Sequence, residues 1–134
     1  MHEKPHLTSP PFGGRPPWRV LALPYTASSH PYDPVAFVNE YLDVDDPVLV
    51  VGHLVVEGVD KGDESGEMAR GRDVRFPLEA IESRVPAARR LMINGHHHRR
   101  QIHKGIYIPG SLARLRFGPD ALNVPGAWLL ETPW

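Results

Sequence analysis

Histidines follow two short apolar segments of the sequence, in each case directly after a glycine. Val48–Val51 is followed by Gly-His at 52–53, and Leu91–Ile93 is followed by Asn-Gly-His-His-His at 94–98. Neutral imidazole is a good ligand for Zn, Mn, Fe and Ni. If both apolar segments are strands of one layered sheet, their carboxyl ends meet at the edge where such folds bind ligands. The pattern therefore indicates a metal site built from imidazoles at that edge.

The three consecutive histidines are the stronger part of this pattern, because histidines are seldom fully buried and three in a row are rare in a core. On an extended loop, His96 and His98 reach two nearby points while His97 faces elsewhere. A lone Gly-His pair such as the one at 52–53 is instead typical of a packed or capping histidine. Imidazoles alone do not identify a two-metal enzyme, since a bridging carboxylate usually holds the two cations together.

The strands that would carry these histidines are predicted from continuous apolar runs of strand length. The run at 48–51 lacks alternation, so we expect it to be buried on both faces of its sheet. Helices and strands alternate early in the chain and strands dominate later, which is typical of an α/β layered fold. The predicted strands are 18–23, 48–51, 91–93, 106–108 and 127–130.

Two helices are predicted between the strands. Asp33 followed by Pro34 is typical of an N-cap and a first helical position, and this helix is expected to end near Asp43. Residues 77–83 form the second candidate, with Leu78 and Ile81 facing inward. The apolar stripe of the first helix is expected to consist of Val35, Val38, Tyr41 and Leu42.

Length and composition restrict the classes of protein to consider. The 134 residues correspond to a single domain, here with a Pro/Gly-rich N-terminal segment at 1–17 and a Gly-rich, charged excursion at 57–75. The absence of cysteine excludes a disulfide framework, a thiolate zinc site and a cysteine nucleophile. No apolar run is long enough to span a bilayer. The N-terminal residues do not resemble a signal peptide, so we expect a cytoplasmic protein without a membrane partner.

Charge is segregated along the chain although the net charge is only −1. Thirteen of the 16 acidic residues lie between Asp33 and Glu82, whereas residues 83–119 contain no acid and eight of the 15 lysines and arginines. Such a basic segment is expected to attract a phosphate-rich partner. The alternative is a solvated rim whose arginines pair with the acidic half of the same fold.

Three groups of residues, in this order, resemble the late motifs of the calcineurin-like metallophosphoesterases: Gly52-His53 with Glu57-Gly58, then Gly95-His96-His97-His98, then Tyr107-Ile108-Pro109-Gly110-Ser111. The resemblance is to the DNA repair exonuclease branch, the SbcD-like enzymes. There, Gly-His-x-His is followed by a Tyr-x-Gly-Ser turn and a strand containing Phe. Leu21–Tyr25 resembles the apolar strand of that branch that ends in Pro-Tyr, and Leu115-Arg116-Phe117 resembles its Phe-containing strand.

The resemblance implies a fold and a set of metal ligands. The fold would be the C-terminal half of a layered metallophosphoesterase β-sandwich flanked by helices. The activity would be two-metal hydrolysis of phosphate esters. His53 and His96 would bind one metal ion and His98 the other, while His97 would not be a ligand.

The resemblance also implies a substrate class and a cofactor. The substrate would be a phosphodiester, either DNA or a small molecule, and Arg99 and Arg100 beside the histidines would contact its phosphate. The cofactor would be divalent metal, most readily manganese, with zinc and iron as alternatives.

The earlier motifs of the family are missing from the sequence. There is no Asp-x-His and no Asn-His, so the bridging carboxylate and the catalytic histidine are expected to lie upstream of Met1. We therefore expect the chain to need a partner polypeptide carrying the other half, or to form a homo-oligomer that covers its apolar strands. The alternative function is a non-catalytic truncated module that binds a protein or nucleic acid through its basic segment at 84–116.

Overall fold

A six-stranded mixed sheet forms the centre of the protein in the computed structural model. The structure describes residues 5–8, 18–25, 32–42, 45–60, 74–111 and 126–131. The strand order across the sheet is β1-β2-β3-β4-β6-β5. The strands are β1 (His6–Thr8), β2 (Arg19–Leu23), β3 (Val48–Gly52), β4 (Arg90–Asn94), β5 (Gln101–His103) and β6 (Ile106–Ile108).

Strands β2, β3, β4 and β6 are parallel, while β1 and β5 run antiparallel to their neighbours at the two edges. In the register of the three central strands, Leu23 lies beside Gly52 and Gly52 lies beside Asn94. The chain therefore leaves β2, β3 and β4 at one common edge of the sheet. Residues that directly follow these strands are brought together there, as expected for a parallel sheet.

Helix α1 (Pro34–Tyr41) begins as its sequence predicts. The Asp33 carboxylate accepts hydrogen bonds from the backbone N–H groups of Val35 and Ala36, at 3.0 and 3.1 Å. These bonds satisfy two of the amides that the first helical turn leaves unpaired. The helix ends at Tyr41, two residues before the predicted end at Asp43, and the Leu42 N–H bonds to the Val38 carbonyl.

The predicted apolar stripe of α1 is only half correct. Val38 and Leu42 are fully buried, whereas Val35 is 45% exposed and Tyr41 is 47% exposed. Spacings of four residues keep Val38 and Leu42 on one face, together with buried Pro34. Val35 and Tyr41 flank that face and are left on the solvent side.

Helix α2 (Leu78–Arg84) confirms the second predicted helix and is followed by a 3₁₀ turn at Ala87–Arg89. Ile81 is fully buried, and Leu78 packs against the same core. The two helices contact each other, so they share one side of the sheet with the buried core. The chain is thus an α/β protein with a mixed sheet flanked by two helices.

Alternate residues of the central strands form the buried core on the helix side. Leu21 pairs in register with Val50, Val50 with Met92, and Met92 with Ile106. All four are at most 2% exposed. They pack with Val38, Leu42, Ile81 and Val85 from the helical side of the sheet.

The opposite side of the sheet, termed the open face, is apolar but none of its side chains is buried. Val51 is 40% exposed and Ile102 is 53% exposed. The expectation that 48–51 is buried on both faces is therefore wrong, because Leu49 and Val51 face away from the two helices. The open face consists of Val20, Ala22, Leu49, Val51, Leu91, Ile93, Ile102 and Tyr107.

The five predicted strands have different outcomes. The strands predicted at 18–23, 48–51, 91–93 and 106–108 are confirmed as β2, β3, β4 and β6. The strand predicted at 127–130 is wrong, because this run pairs with no described strand and Leu129 is 88% exposed. The sequence pattern missed β1 and β5. Most of the excursion at 57–75 and all of 115–117 lie outside the described residues, as does most of 1–17.

Arginines of the basic segment bond largely to groups of the acidic half of the chain. Arg90 pairs with Glu82 at 3.4 Å, and Arg84 donates to the Asn39 side chain at 3.1 Å. Arg89 donates to the Asp45 carbonyl, and Arg99 pairs with Asp60. The rim interpretation of the charge pattern thus holds for these arginines. In the ranges that the structure describes, no helix is long and apolar enough to cross a membrane.

Candidate metal centre

The predicted histidines converge at the common edge of β2, β3 and β4. His53 directly follows β3, and its backbone N–H donates a hydrogen bond to the Leu23 carbonyl at 3.0 Å. His96 lies two residues beyond the end of β4. The two imidazole rings are nearly perpendicular, with centroids 5.4 Å apart. The register of the parallel strands is what brings these two side chains together.

The separation of these two rings suits a shared ligand. Imidazoles bound to one ion at about 2.1 Å place their centroids about 3.2 Å from it, and so about 5 Å apart at a tetrahedral angle. The observed 5.4 Å is close to this value. The ring separation of His53 and His96 is therefore compatible with a shared divalent ion.

Tyr25 completes a triangle of rings at this edge. It follows β2 and Pro24, just as His53 follows β3. Its ring lies 6.1 Å from that of His96 in a stacked arrangement and 6.0 Å from that of His53 in an edge arrangement. Three adjacent parallel strands thus each deliver one ring to the same place.

Two glycines make room for side chains from the neighbouring strand. A Cβ on Gly95 would lie 2.8 Å from Nδ1 of His53, and a Cβ on Gly52 would lie 2.7 Å from the Asn94 side-chain oxygen. Both distances are shorter than van der Waals contact. The Gly-His and Asn-Gly dipeptides therefore fit together reciprocally: the His53 ring lies over Gly95, and the Asn94 amide lies over Gly52.

Asn94 is a buried polar side chain that ties the two histidine-bearing loops together. It is fully buried, and its side-chain oxygen accepts a hydrogen bond from the Leu54 N–H at 3.0 Å. Its amide nitrogen donates to the carbonyls of Leu54 at 2.8 Å and Gly95 at 3.0 Å. From the adjacent strand, Asn94 thereby fixes the backbone at Leu54, the residue that follows His53.

His97 is turned into the protein, as expected for a non-ligand. It is 2% exposed, and its Nε2 accepts a hydrogen bond from the Val56 N–H at 2.9 Å. An Nε2 that accepts this bond is not available to a metal ion, and the neutral ring must carry its proton on Nδ1. The ring lies 5.1 Å from that of His96 at 82°. His97 therefore supports the loop that carries His53 rather than extending the pair of ligands.

The backbone turns sharply at His96, which has a φ of 62°. Residues other than glycine are uncommon in this left-handed region, and such residues are enriched at functional sites. The turn separates the directions of neighbouring side chains, so that His96 faces His53 while His97 is buried. His98 is held through its carbonyl, which accepts a hydrogen bond from the Ser111 N–H at 2.9 Å.

The pKa of His53 is lowered, mainly by burial and further by the nearby His97 and His98. The shift favours the neutral imidazole, which is the form that binds a metal ion.

Acidic side chains near the loop after β3 bond to other groups. Glu57 pairs with Arg75, and Asp60 pairs with Arg99 while its backbone bonds to the Gln101 side chain. Asp63 lies outside the described residues. In the part of the chain that the structure describes, no group of three or more histidine, aspartate or glutamate side chains is arranged to hold a metal ion. The two imidazoles that lie together at this edge are those of His53 and His96.

No protein-family model matches the chain, and no curated protein matches it either. The geometry of the strand-end cluster therefore carries the functional interpretation.

The two arginines expected at the substrate phosphate have neighbours of their own. Arg99 forms the ion pair with Asp60. The Arg100 guanidinium lies over the Trp128 ring, 5.7 Å from its centroid, and close to Gly126. Trp128 in turn makes an edge contact with Tyr107.

Asn94, His97 and Tyr25 are the site residues whose roles the sequence did not predict. Asparagine directly before Gly-His is a signal in hindsight, since a buried amide at a strand end must find partners on the adjacent loop. The sequence singles out Tyr25 only as part of the Pro-Tyr resemblance. Its position directly after a third parallel strand is the signal that could have placed it at the site.

Proposed function

We propose that this chain contributes the imidazole ligands of a metal-dependent phosphoesterase of the calcineurin-like type, acting on phosphodiesters, with DNA as a candidate substrate. The observation that carries the proposal is the convergence of His53 and His96, with ring centroids 5.4 Å apart, at the carboxyl ends of two adjacent parallel strands. The two rings have the donor type and spacing that one divalent ion requires.

The residues of the chain would act mainly by positioning. His53 and His96 would hold one ion, preferably manganese with zinc or iron as alternatives, and His98 would serve a second. With an ion held by these residues, the site would gain the Lewis-acid chemistry that activates water for attack on a phosphate ester. Asn94 and His97 would keep the two loops at a fixed separation, through bonds to Leu54 and Val56.

Among the described residues no group of three ligands is assembled at this edge, and we propose that a partner supplies the carboxylate ligands of such a centre. The open face supports this part of the proposal, because its eight apolar residues lie in register and are half-buried or exposed instead of forming a closed core. A second sheet packed on this face would complete a layered β-sandwich. We propose that it belongs to a partner polypeptide or to another copy of the chain.

The covering of the open face leads to the first testable prediction. The wild-type chain at micromolar concentration is expected to sediment as a dimer or larger species, or to melt over a broad range when monomeric. Val51→Asp places a charge in the middle of the face and should shift the protein towards monomer, whereas Val35→Asp on exposed α1 should not. Sedimentation velocity with thermal unfolding measures both. A sharply melting wild-type monomer would contradict the prediction.

The alternative, a non-catalytic module that binds nucleic acid through 84–116, has less support. Four arginines of that segment, Arg84, Arg89, Arg90 and Arg99, bond to groups of the acidic half of the same fold. Arg90 and Arg99 pair with carboxylates, which partly neutralises their charge and weakens their attraction for phosphate, whereas Arg84 and Arg89 bond to neutral groups.

A manganese titration followed by calorimetry tests the proposed function. We expect the purified chain to bind one Mn²⁺ with a dissociation constant in the micromolar to millimolar range, because two imidazoles without carboxylates form a weak site. Mg²⁺, which prefers oxygen ligands, should bind more weakly. Mn²⁺ binding no stronger than that of Mg²⁺, or heat unaltered by His53→Ala, would overturn the proposal.

A further inference from the structure

Tyr25 occupies a defined position at the edge of the sheet. It follows Pro24 at the carboxyl end of β2, and the register places the preceding Leu23 beside Gly52 of β3. The Tyr32 hydroxyl donates a hydrogen bond to the Pro24 carbonyl at 2.9 Å. Burial raises the pKa of Tyr32, which therefore remains a neutral donor at physiological pH. This bond fixes the backbone from which the Tyr25 ring extends.

The Tyr25 ring contacts both candidate ligands yet remains accessible. It lies 6.1 Å from the His96 ring at an interplanar angle of 15°, and 6.0 Å from the His53 ring at 82°. It is 51% exposed, so solvent and ligands reach it. A neutral phenol offers a hydroxyl donor at the end of a rigid ring.

A phosphate group at this edge would need hydrogen-bond donors, because its oxygens only accept. An imidazole nitrogen that binds a metal ion cannot also donate a hydrogen bond to the phosphate. Arg99 is paired with Asp60, and Arg100 lies against Trp128. Among the residues that the structure describes, Tyr25 carries a hydroxyl donor and also lies against both the His53 and His96 rings.

We propose that Tyr25 is a substrate-contacting residue, whose hydroxyl donates a hydrogen bond to a phosphoryl oxygen of a phosphate ester held beside His53 and His96. This inference rests on the proposed function and adds to it the group that recognises the phosphate. Tyr25 is assigned no part in binding the metal ion.

The test separates the hydroxyl from the ring. Tyr25→Phe keeps the ring contacts with both histidines and removes only the donor. Mn²⁺ is titrated into each variant first, and inorganic phosphate is then titrated into the Mn²⁺-loaded chain, with calorimetry as the readout. Tyr25→Phe should bind Mn²⁺ within twofold of wild type and bind phosphate about tenfold more weakly, as expected for one hydrogen bond to a charged group.

Tyr41→Phe is the matched control, since Tyr41 is 47% exposed on α1 and its ring packs on Phe37 instead of a histidine. It should leave both affinities unchanged. A wild-type chain that binds Mn²⁺, together with Tyr25→Phe that binds phosphate as wild type does, would overturn this inference and leave the proposed function standing. The inference also fails if Tyr25→Phe weakens Mn²⁺ and phosphate binding equally, or if the Mn²⁺-loaded wild type binds no phosphate. A wild-type chain that binds no Mn²⁺ would overturn both.

Discussion

Asn94→Ala is expected to lower the free energy of unfolding by about 2–4 kcal/mol. The substitution removes three hydrogen bonds from a side chain that is fully buried. It leaves both the N–H and the carbonyl of Leu54 without their partner, and each unsatisfied buried group costs about 1–3 kcal/mol. Urea unfolding followed by circular dichroism measures the loss, with the midpoint read at constant slope.

Asn39→Ala is the matched control for this measurement. Asn39 is exposed on α1, and its side chain accepts one hydrogen bond from Arg84 at 3.1 Å. Removing an exposed hydrogen bond should change stability by no more than about 0.5 kcal/mol. Equal losses for Asn94→Ala and Asn39→Ala would show that the buried amide does not hold the two loops together.

The sequence predicts the central strands and the start of α1 because local features determine them. Strands β2, β3, β4 and β6 are short apolar runs bounded by turn residues, and burial of such runs is the dominant driving force. The cap at Asp33 is likewise a local interaction, since the carboxylate bonds to amides two and three residues away. Predictions of this kind do not require knowledge of which element lies next to which.

The edge strands and the C-terminal run depend on pairing that the local pattern does not contain. Strands β1 and β5 have three residues each, and β5 carries Ile102 with 53% exposure between two polar residues. The hairpin of β5 and β6 is set by Lys104 and Gly105, both at positive φ, rather than by an apolar run. Residues 127–130 show the opposite case, in which an apolar run pairs with no described strand and most of its side chains are exposed.

The candidate site shows the same division. The meeting of His53 and His96 follows from the rule that parallel strands end at a common edge, and both residues lie directly beyond such strands. The functions of Asn94 and His97 were not predictable in this way. Each reaches across to the loop after β3, so its partner is determined by the β3–β4 register and lies about 40 residues away in sequence.

His96→Ala and His53→Ala are each expected to lower the affinity for Mn²⁺ by at least about 100-fold. Even residues that only orient a metal ligand change affinity by about 10–100-fold, so loss of a ligand from a site with two imidazoles should cost more. Calorimetric titration at pH 7 measures the effect. His98→Ala should also lower the Mn²⁺ affinity, and by a smaller factor than His53→Ala or His96→Ala, because His98 is not one of the two rings that share this ion.

His97→Gln is the control that separates ligands from supporting residues. A glutamine side-chain oxygen can accept the hydrogen bond that the His97 Nε2 now accepts from Val56, so the loop should keep its position. Mn²⁺ affinity is then expected to remain within about threefold of wild type, well below the tenfold change that corresponds to about 1.4 kcal/mol. His97→Ala should lower stability, because it leaves a buried N–H unpaired, while the folded protein keeps its metal stoichiometry. Equal losses of affinity at positions 96, 97 and 98 would contradict the ligand assignment, since only a general disruption of the loop would affect all three alike.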